Sequence, residues 1–148
     1  QLEALRTSHD LLADSRKEYE AASQRVPDER VQHLLHRISS ERAALEAELA
    51  ADIRHHDPSA RPGDGTVGGT IHRALLTARD AINSTSEVNV LVECERQESD
   101  LLGHYDNVLD SADLNESTRA TLAGQHAQIA KNVDNVRHLR KQLEAVVH

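Results

Sequence analysis

Hydrophobic residues recur at intervals of three and four along most of this chain, which is the spacing of one face of an α-helix. The pattern predicts helices at about residues 2–25, 29–55, 70–82, 87–112 and 116–147. No segment alternates in the two-residue period of a β-strand. The fold class is therefore predicted to be all-α.

Proline and glycine mark the breaks between these segments, because proline lacks a backbone donor and glycine lacks the steric bias toward helix. Pro27 and Asp28 separate the first two segments, and Asp28 is a suitable N-cap. The other two prolines and four of the six glycines fall in the stretch 57–69. The long segments suit a four-helix bundle of two antiparallel hairpins, joined by a crossover at about 56–86 that carries the short helix. We expect a single domain over residues 1–148.

The length of the crossover leaves two topologies open. About 30 residues, including a helix that covers about 20 Å at 1.5 Å per residue, are enough to return along the whole bundle. The helices at 29–55 and 87–112 would then be parallel, as in ferritin-type bundles with one long crossover. A connection that folds back locally would instead give an up-down bundle. We favour the crossover.

Composition excludes several classes of partner. The chain has 148 residues, and its only residues of the Phe, Trp and Tyr class are Tyr19 and Tyr105. A net charge of −8 disfavours binding to nucleic acid, and no apolar run approaches the ~18 residues of a membrane span. The single cysteine, Cys94, excludes an intrachain disulfide and fits a reducing compartment. We therefore expect a soluble, acidic, cytoplasmic protein.

Charged residues interrupt the apolar stripes at mid-helix, where a core is expected. Glu41 lies on the stripe of the second helix, and Glu95 and Glu98 lie on or beside that of the helix at about 87–112. In the crossover topology these carboxylates stand at a height similar to Arg16 of the first helix. One interpretation is a structural polar layer in which arginines neutralise carboxylates. Its members would be Arg16, Arg42, Glu41, Glu95 and Glu98.

The alternative interpretation is a metal site, because ferritin-like di-iron centres use carboxylates and histidines that project inward from four helices. The candidate ligands are Glu41, Glu95, Glu98 and His126, and the metal would be iron, manganese or zinc. The Glu-x-x-His spacing of such centres is absent, since Ala44 follows Glu41 by three residues and no Glu precedes His126 by three. We therefore favour the structural layer, with no cofactor and no catalytic residue.

Charge is distributed unequally between the last two long helices. The segment 87–113 has eight acidic residues against Arg96, whereas 116–148 has five Lys and Arg against three acids. Either the two helices neutralise each other within their hairpin, or the acidic helix is a docking surface for a basic partner.

Short motifs spread along nearly the whole chain resemble a known family. In chain order they are Asp14-Ser15 with Tyr19 and Ala21-Ala22, Glu41-Arg42 with Glu48-Leu49, Gly69 with His72-Arg73 and Leu75, and the run Glu93 to Glu98 with Tyr105. Together they resemble a bacterial family of four-helix-bundle proteins, a domain of unknown function placed in the ferritin-like superfamily. The resemblance implies the bundle fold and leaves activity open.

From these observations we expect a non-enzymatic helical bundle. It would act through contacts with an unknown protein partner or with itself, as a homo-oligomer, and would bind neither nucleic acid nor a membrane. The alternative is a metal-binding or redox ferritin-like protein with a non-standard carboxylate and histidine site.

Overall fold

The computed structural model describes residues 1–59, 84–111 and 113–147, and every regular element in these ranges is an α-helix. The helices are α1 (Leu2–Ser23), α2 (Glu29–His56), α3 (Ser84–Leu109) and α4 (Glu116–Val147). The predicted all-α class is confirmed. The short helix predicted at about 70–82 lies outside the described residues. None of the described helices is long and apolar enough to cross a membrane.

Side-chain caps at two helix starts define the short turns. Asp28 accepts hydrogen bonds from the backbone nitrogens of Arg30 at 2.8 Å and Val31 at 3.4 Å, as its predicted role requires. Asn115 accepts one from the backbone nitrogen of Thr118 at 2.8 Å. These caps satisfy backbone donors that have no partner inside the helix. The pairs α1–α2 and α3–α4 are accordingly antiparallel hairpins, and each hairpin is the most extensive helix contact of its members.

Hydrogen bonds between the hairpins fix the helix directions. The bonded pairs are Tyr19–Glu98 and Ser8–His104 between α1 and α3, and Glu41–Asn132 and Asp52–Thr118 between α2 and α4. In both sets residue numbers rise on one helix as they fall on the other, so each pair is antiparallel. It follows that α2 and α3 are parallel and diagonally opposed. The end of α2 and the start of α3 therefore lie at opposite ends of the bundle, as the crossover topology requires.

Buried apolar side chains form two clusters along the bundle. The lower cluster, nearer the α1–α2 turn, includes Tyr19, Leu35, Ile38, Leu91 and Val136. The upper cluster, nearer the α3–α4 turn, includes Leu5, Leu12, Leu49, Tyr105 and Leu122. Full burial of one such side chain stabilises the fold by about 1.5–3 kcal/mol. A layer of polar residues lies between the two clusters.

Candidate functional site

The polar layer centres on Arg42 of α2 and Glu98 of α3. Arg42 Nη2 donates to Glu98 Oε2, and the two side chains are 0% and 1% exposed. Tyr19 Oη donates to Glu98 Oε1 at 2.6 Å, and Arg42 Nε donates to Ser15 Oγ at 3.1 Å. One buried ion pair thus connects three helices through the interior.

Burial and charge set the protonation states of this layer. Burial raises the pKa of Tyr19 well above its ordinary value, and the Glu98 carboxylate adds to the rise. Burial alone would lower the pKa of Arg42, but the Glu98 carboxylate outweighs it and the pKa is raised. Tyr19 therefore remains a hydrogen-bond donor and Arg42 remains charged at neutral pH. Neither group changes its protonation state near pH 7, as a general acid or base must do. The pair therefore suits a structural network more than acid–base catalysis.

Two further features adjoin the Arg42–Glu98 pair. The free thiol of Cys94 is buried, and burial together with the nearby Glu98 charge raises its pKa well above the ordinary value. It stays protonated and is a poor nucleophile. A cavity of about 100 Å³ between α1 and α3 is lined by Ser15, Glu98 and Leu101 among others.

Arg16, the other arginine expected to neutralise the central carboxylates, lies in a different pair. Its guanidinium contacts Glu46 of α2, through Nε to Oε2 and through a 3.2 Å bond from Nη2 to Oε1. The Arg16 side chain is 36% exposed. Arg16 lies where α1 meets α2 at the surface of the hairpin, so Glu46, rather than Glu41 or Glu98, is within its reach.

Glu41 and Glu95 lie at the same level of the bundle as the polar layer, but their hydrogen-bond partners are residues of α4. Asn132 Nδ2 donates to Glu41 Oε2 at 2.8 Å. Glu95 accepts hydrogen bonds from Arg137 Nε at 2.7 Å and from Arg140 Nε at 3.0 Å. Burial raises the pKa of Glu95, but the two arginines outweigh it and leave the pKa below its ordinary value. These contacts join α4 to α2 and α3.

The four candidate metal ligands are not brought together. Glu98 lies in the interior ion pair, whereas Glu41 lies at the α2–α4 interface and Glu95 at the α3–α4 interface. His126 is at the α3–α4 surface, with its Nε2 2.8 Å from Asp106 Oδ1. Within the ranges that the structure describes, no three His, Cys, Asp or Glu side chains are grouped as a metal ion would require.

A second polar group lies in the upper half of the bundle. Tyr105 Oη donates to Gln125 Oε1 at 2.7 Å, and Gln125 Nε2 donates to Glu48 Oε1 at 2.7 Å. The apolar spacing of α4 allows either Gln125 or His126 to face inward. Gln125 is the one that does so, being 1% exposed, and sequence alone could not choose between adjacent positions.

Several acidic residues of α3 are neutralised within the chain. Arg96 pairs with Glu93 and with Asp100, the latter at 2.9 Å. The arginines of α4 hold Glu95, as described above. These contacts favour neutralisation within the hairpin over a docking surface along the middle of α3.

Basic side chains without such partners lie on the outer surface of α2 and α4. Four of them are His33 and Arg37 of α2 and Lys131 and His138 of α4, which we call the cationic face; its formal charge at pH 7 comes from Arg37 and Lys131. All four are exposed, and none forms an ion pair with a described residue. The Glu41–Asn132 bond sets their register. Arg37 lies one turn below Glu41, Lys131 adjoins Asn132, and the face therefore spans both helices. Sequence reasoning missed it because its members come from segments about 100 residues apart.

Comparison with known proteins identifies a family. A family model matches residues 1–111, which contain α1, α2 and α3. The helix α4, with Lys131 and His138, lies beyond the matched range. A search of curated proteins finds no match to this chain. Placement in the ferritin-like superfamily stays a prediction. The matched range covers most of the chain, which therefore belongs to the family described as a domain of unknown function, DUF2383.

Proposed function

We propose that this protein is a non-enzymatic binding module that acts through protein contacts, with the cationic face as a docking surface for an acidic segment of a partner. The observation that carries the proposal is the exposure of Arg37 and Lys131 without a carboxylate partner among the described residues. Carboxylates outnumber cations in this chain, whose net charge is −8. Two adjacent helices that nevertheless present unpaired cations on one surface are suited to an external anion.

The chemistry of the face favours carboxylates on a protein over a long polyanion. The guanidinium of Arg37 matches the planar geometry of a carboxylate and can bind it through two parallel hydrogen bonds. His33 and His138 offer ring nitrogens that donate hydrogen bonds even when neutral. A net charge of −8 repels a nucleic acid along its length. A short acidic segment meets less of this repulsion because it covers only the face itself.

The buried groups support a structural role for the interior. Glu98 is held by Arg42 and Tyr19, and Glu41 by Asn132, so each carboxylate has a donor inside the chain. A metal-binding or redox function would require these carboxylates to converge on one ion. No specific contact of the described residues favours that alternative, and we do not propose it.

Binding of a fluorescent glutamate-rich peptide, followed by anisotropy at low salt, tests the proposal. The test variant combines Arg37→Gln with Lys131→Gln. A matched control combines Arg6→Gln with Arg54→Gln, which removes the same charge from exposed positions outside the face. Loss of two exposed ion pairs at up to about 1 kcal/mol each should weaken binding about tenfold in the test variant. Absence of binding to the wild-type protein, or equal weakening in both variants, would contradict the proposal.

A further inference from the structure

The upper end of the bundle has the opposite charge to the cationic face. Asp106, Asp110 and Asp113 lie in the last turn of α3 and the α3–α4 turn, and all three are exposed. We call these three residues the acidic end. The Asp106 side chain is 63% exposed and contacts His126, and no Lys or Arg of the described ranges pairs with it. Asp110 and Asp113 form no ion pair with a residue that the structure describes.

Asp106 and Asp110 lie in and just after the last turn of α3, where a carboxylate does not favour the helix. The C-terminus of a helix has partial negative charge, so carboxylates there are unfavourable by the helix dipole. The nearby cation, Arg119, donates to the backbone carbonyls of Leu109 and, at 2.6 Å, Ser111. Arg119 therefore caps the end of α3 and leaves the carboxylates of Asp110 and Asp113 exposed. Their charge is available to a surface outside the molecule.

One molecule cannot join its own acidic end to its own cationic face. Asp113 precedes the start of α4, and Lys131, the residue of the face nearest to it along that helix, follows it by 18 residues, which at 1.5 Å per residue is about 27 Å. This distance is more than twice the Debye length of ~10 Å at 0.1 M salt. Asp106 is level with His126, on the α3 side of α4, whereas the cationic face lies on the α2 side. The two surfaces are complementary only between separate molecules.

We propose that the acidic partner is a second copy of this chain, whose acidic end docks on the cationic face. The proposal rests on the proposed function of that face and names its occupant. Each contact uses two different surfaces, so it is heterologous and repeats from molecule to molecule instead of closing in a symmetric pair. The net charge of −8 opposes association at long range, so the contact depends on local ion pairs and should be weak and sensitive to salt.

Sedimentation of the wild-type protein at high concentration tests the association. In about 20 mM NaCl at pH 7.5 we expect the weight-average mass to rise with protein concentration above the monomer mass of 16.4 kDa. In about 1 M NaCl, where the Debye length is ~3 Å, it should stay at the monomer value. A mass that stays monomeric at low salt, or that rises equally at both salt concentrations, would overturn the proposal.

A mixing experiment tests the two surfaces directly. The face variant combines Arg37→Gln with Lys131→Gln, and the end variant combines Asp110→Asn with Asp113→Asn. Each alone should remain monomeric, because each has lost one of its two surfaces. Mixed in equal amounts at low salt, they should form dimers that grow no further, since only one intact contact remains. The control pairs are Arg6→Gln with Arg54→Gln, and Glu29→Gln with Asp100→Asn, all at exposed positions outside the two surfaces, and both should associate like the wild type.

The outcomes separate this inference from the proposed function. If the mixed variants stay monomeric while the wild type still binds the glutamate-rich peptide, the second copy is not the partner and the cationic face keeps its role. If either control pair loses association to the same extent as the test variants, net charge rather than these surfaces drives it, and the inference is wrong. Circular dichroism of every variant checks that the helices remain folded.

Discussion

Arg42 and Glu98 form a buried ion pair that joins the α1–α2 hairpin to the α3–α4 hairpin. Both lie between the two apolar clusters, with leucines and isoleucines above and below. Sliding one hairpin past the other by one turn would bring both charges against apolar side chains, at a cost of several kcal/mol per ion. The pair therefore fixes the alignment of the hairpins and with it the register of the surface residues on α2 and α4.

Replacement of Arg42 should be strongly destabilising. Arg42→Leu leaves the Glu98 carboxylate in the interior without its counter-charge, and removing one partner of a buried pair costs about 3–5 kcal/mol. Equilibrium unfolding in urea, monitored by circular dichroism, measures the loss. The double variant Arg42→Leu with Glu98→Leu should recover much of the lost stability, because no uncompensated charge then remains.

Arg16 provides the matched control for this prediction. Its pair with Glu46 is partly open to solvent, with side chains 36% and 12% exposed, whereas those of Arg42 and Glu98 are 0% and 1% exposed. Arg16→Leu should therefore cost less than Arg42→Leu, because water can reach the carboxylate that remains. If Arg16→Leu and Arg42→Leu reduce the free energy of unfolding equally, the central role of the Arg42–Glu98 pair is contradicted.

The helix pattern and topology could be predicted from the sequence because they depend on apolar spacing and on turn residues. The stripes of α1, α2 and α4 are buried as the spacing indicates. On α3, Leu101 and Cys94 are buried, whereas Leu102 and Leu109 are half-buried. Adjacent leucines at 101 and 102 satisfy helical spacing equally well, so the rotation of α3 is decided only by its packing against the other helices.

Ion-pair partners could not be predicted in the same way. Arg16 was expected to reach the central carboxylates because its helix position is level with them. The long arginine side chain can reach several carboxylates, and the direction it takes depends on the gap between neighbouring helices. The contact of Arg16 with Glu46 depends on this packing of the helices, and so do the contacts of Glu95 with Arg137 and Arg140. The spacing of residues along the sequence does not determine them.

Added divalent metal should leave the melting temperature unchanged. The carboxylates of Glu41 and Glu98 are bound to donors at different interfaces, so they offer no shared site for an ion. A ligand present at 100 times its dissociation constant would stabilise the fold by about 2.7 kcal/mol. Differential scanning fluorimetry with Mn²⁺, Fe²⁺ under anaerobic conditions, or Zn²⁺ measures this. A rise in melting temperature that is lost in Glu41→Gln would favour the metal-binding alternative.

Stability should fall as the pH drops below neutral, and His104 should contribute to the fall. Its Nε2 lies 2.8 Å from Ser8 Oγ, and burial lowers the pKa of the imidazole. The unfolded chain therefore takes up a proton near the ordinary histidine pKa of ~6.5, where the folded chain resists it. The neutral imidazole stabilises the fold above that pH, and this contribution is lost as the pH falls from about 7 toward 5.

Urea denaturation at a series of pH values compares the wild type with His104→Gln. The variant keeps a hydrogen-bonding group next to Ser8 and removes the titration, so its free energy of unfolding should depend less on pH between about 7 and 5. The lowered pKa of Glu95 acts in a different window, because its contribution is lost as the pH falls through the ordinary Glu value of ~4.3 and below. Parallel profiles for the two proteins above pH 5 would show that His104 does not contribute.

Replacing Gly124 with alanine should stabilise the protein. Gly124 is exposed in the interior of α4, and a Cβ built at this position has no atom within 4 Å. Alanine has a higher helix propensity because it loses less backbone entropy on folding, and the gain is about 0.5–1 kcal/mol. Gly103 of α3 has equally open space, so Gly103→Ala is the matched comparison. Urea denaturation measures both. If Gly124→Ala is destabilised, another surface must pack closely against α4 at this position. If the variant is stabilised and its sedimentation at low salt is unchanged, this part of α4 is free, and the association uses the cationic face further along the helix.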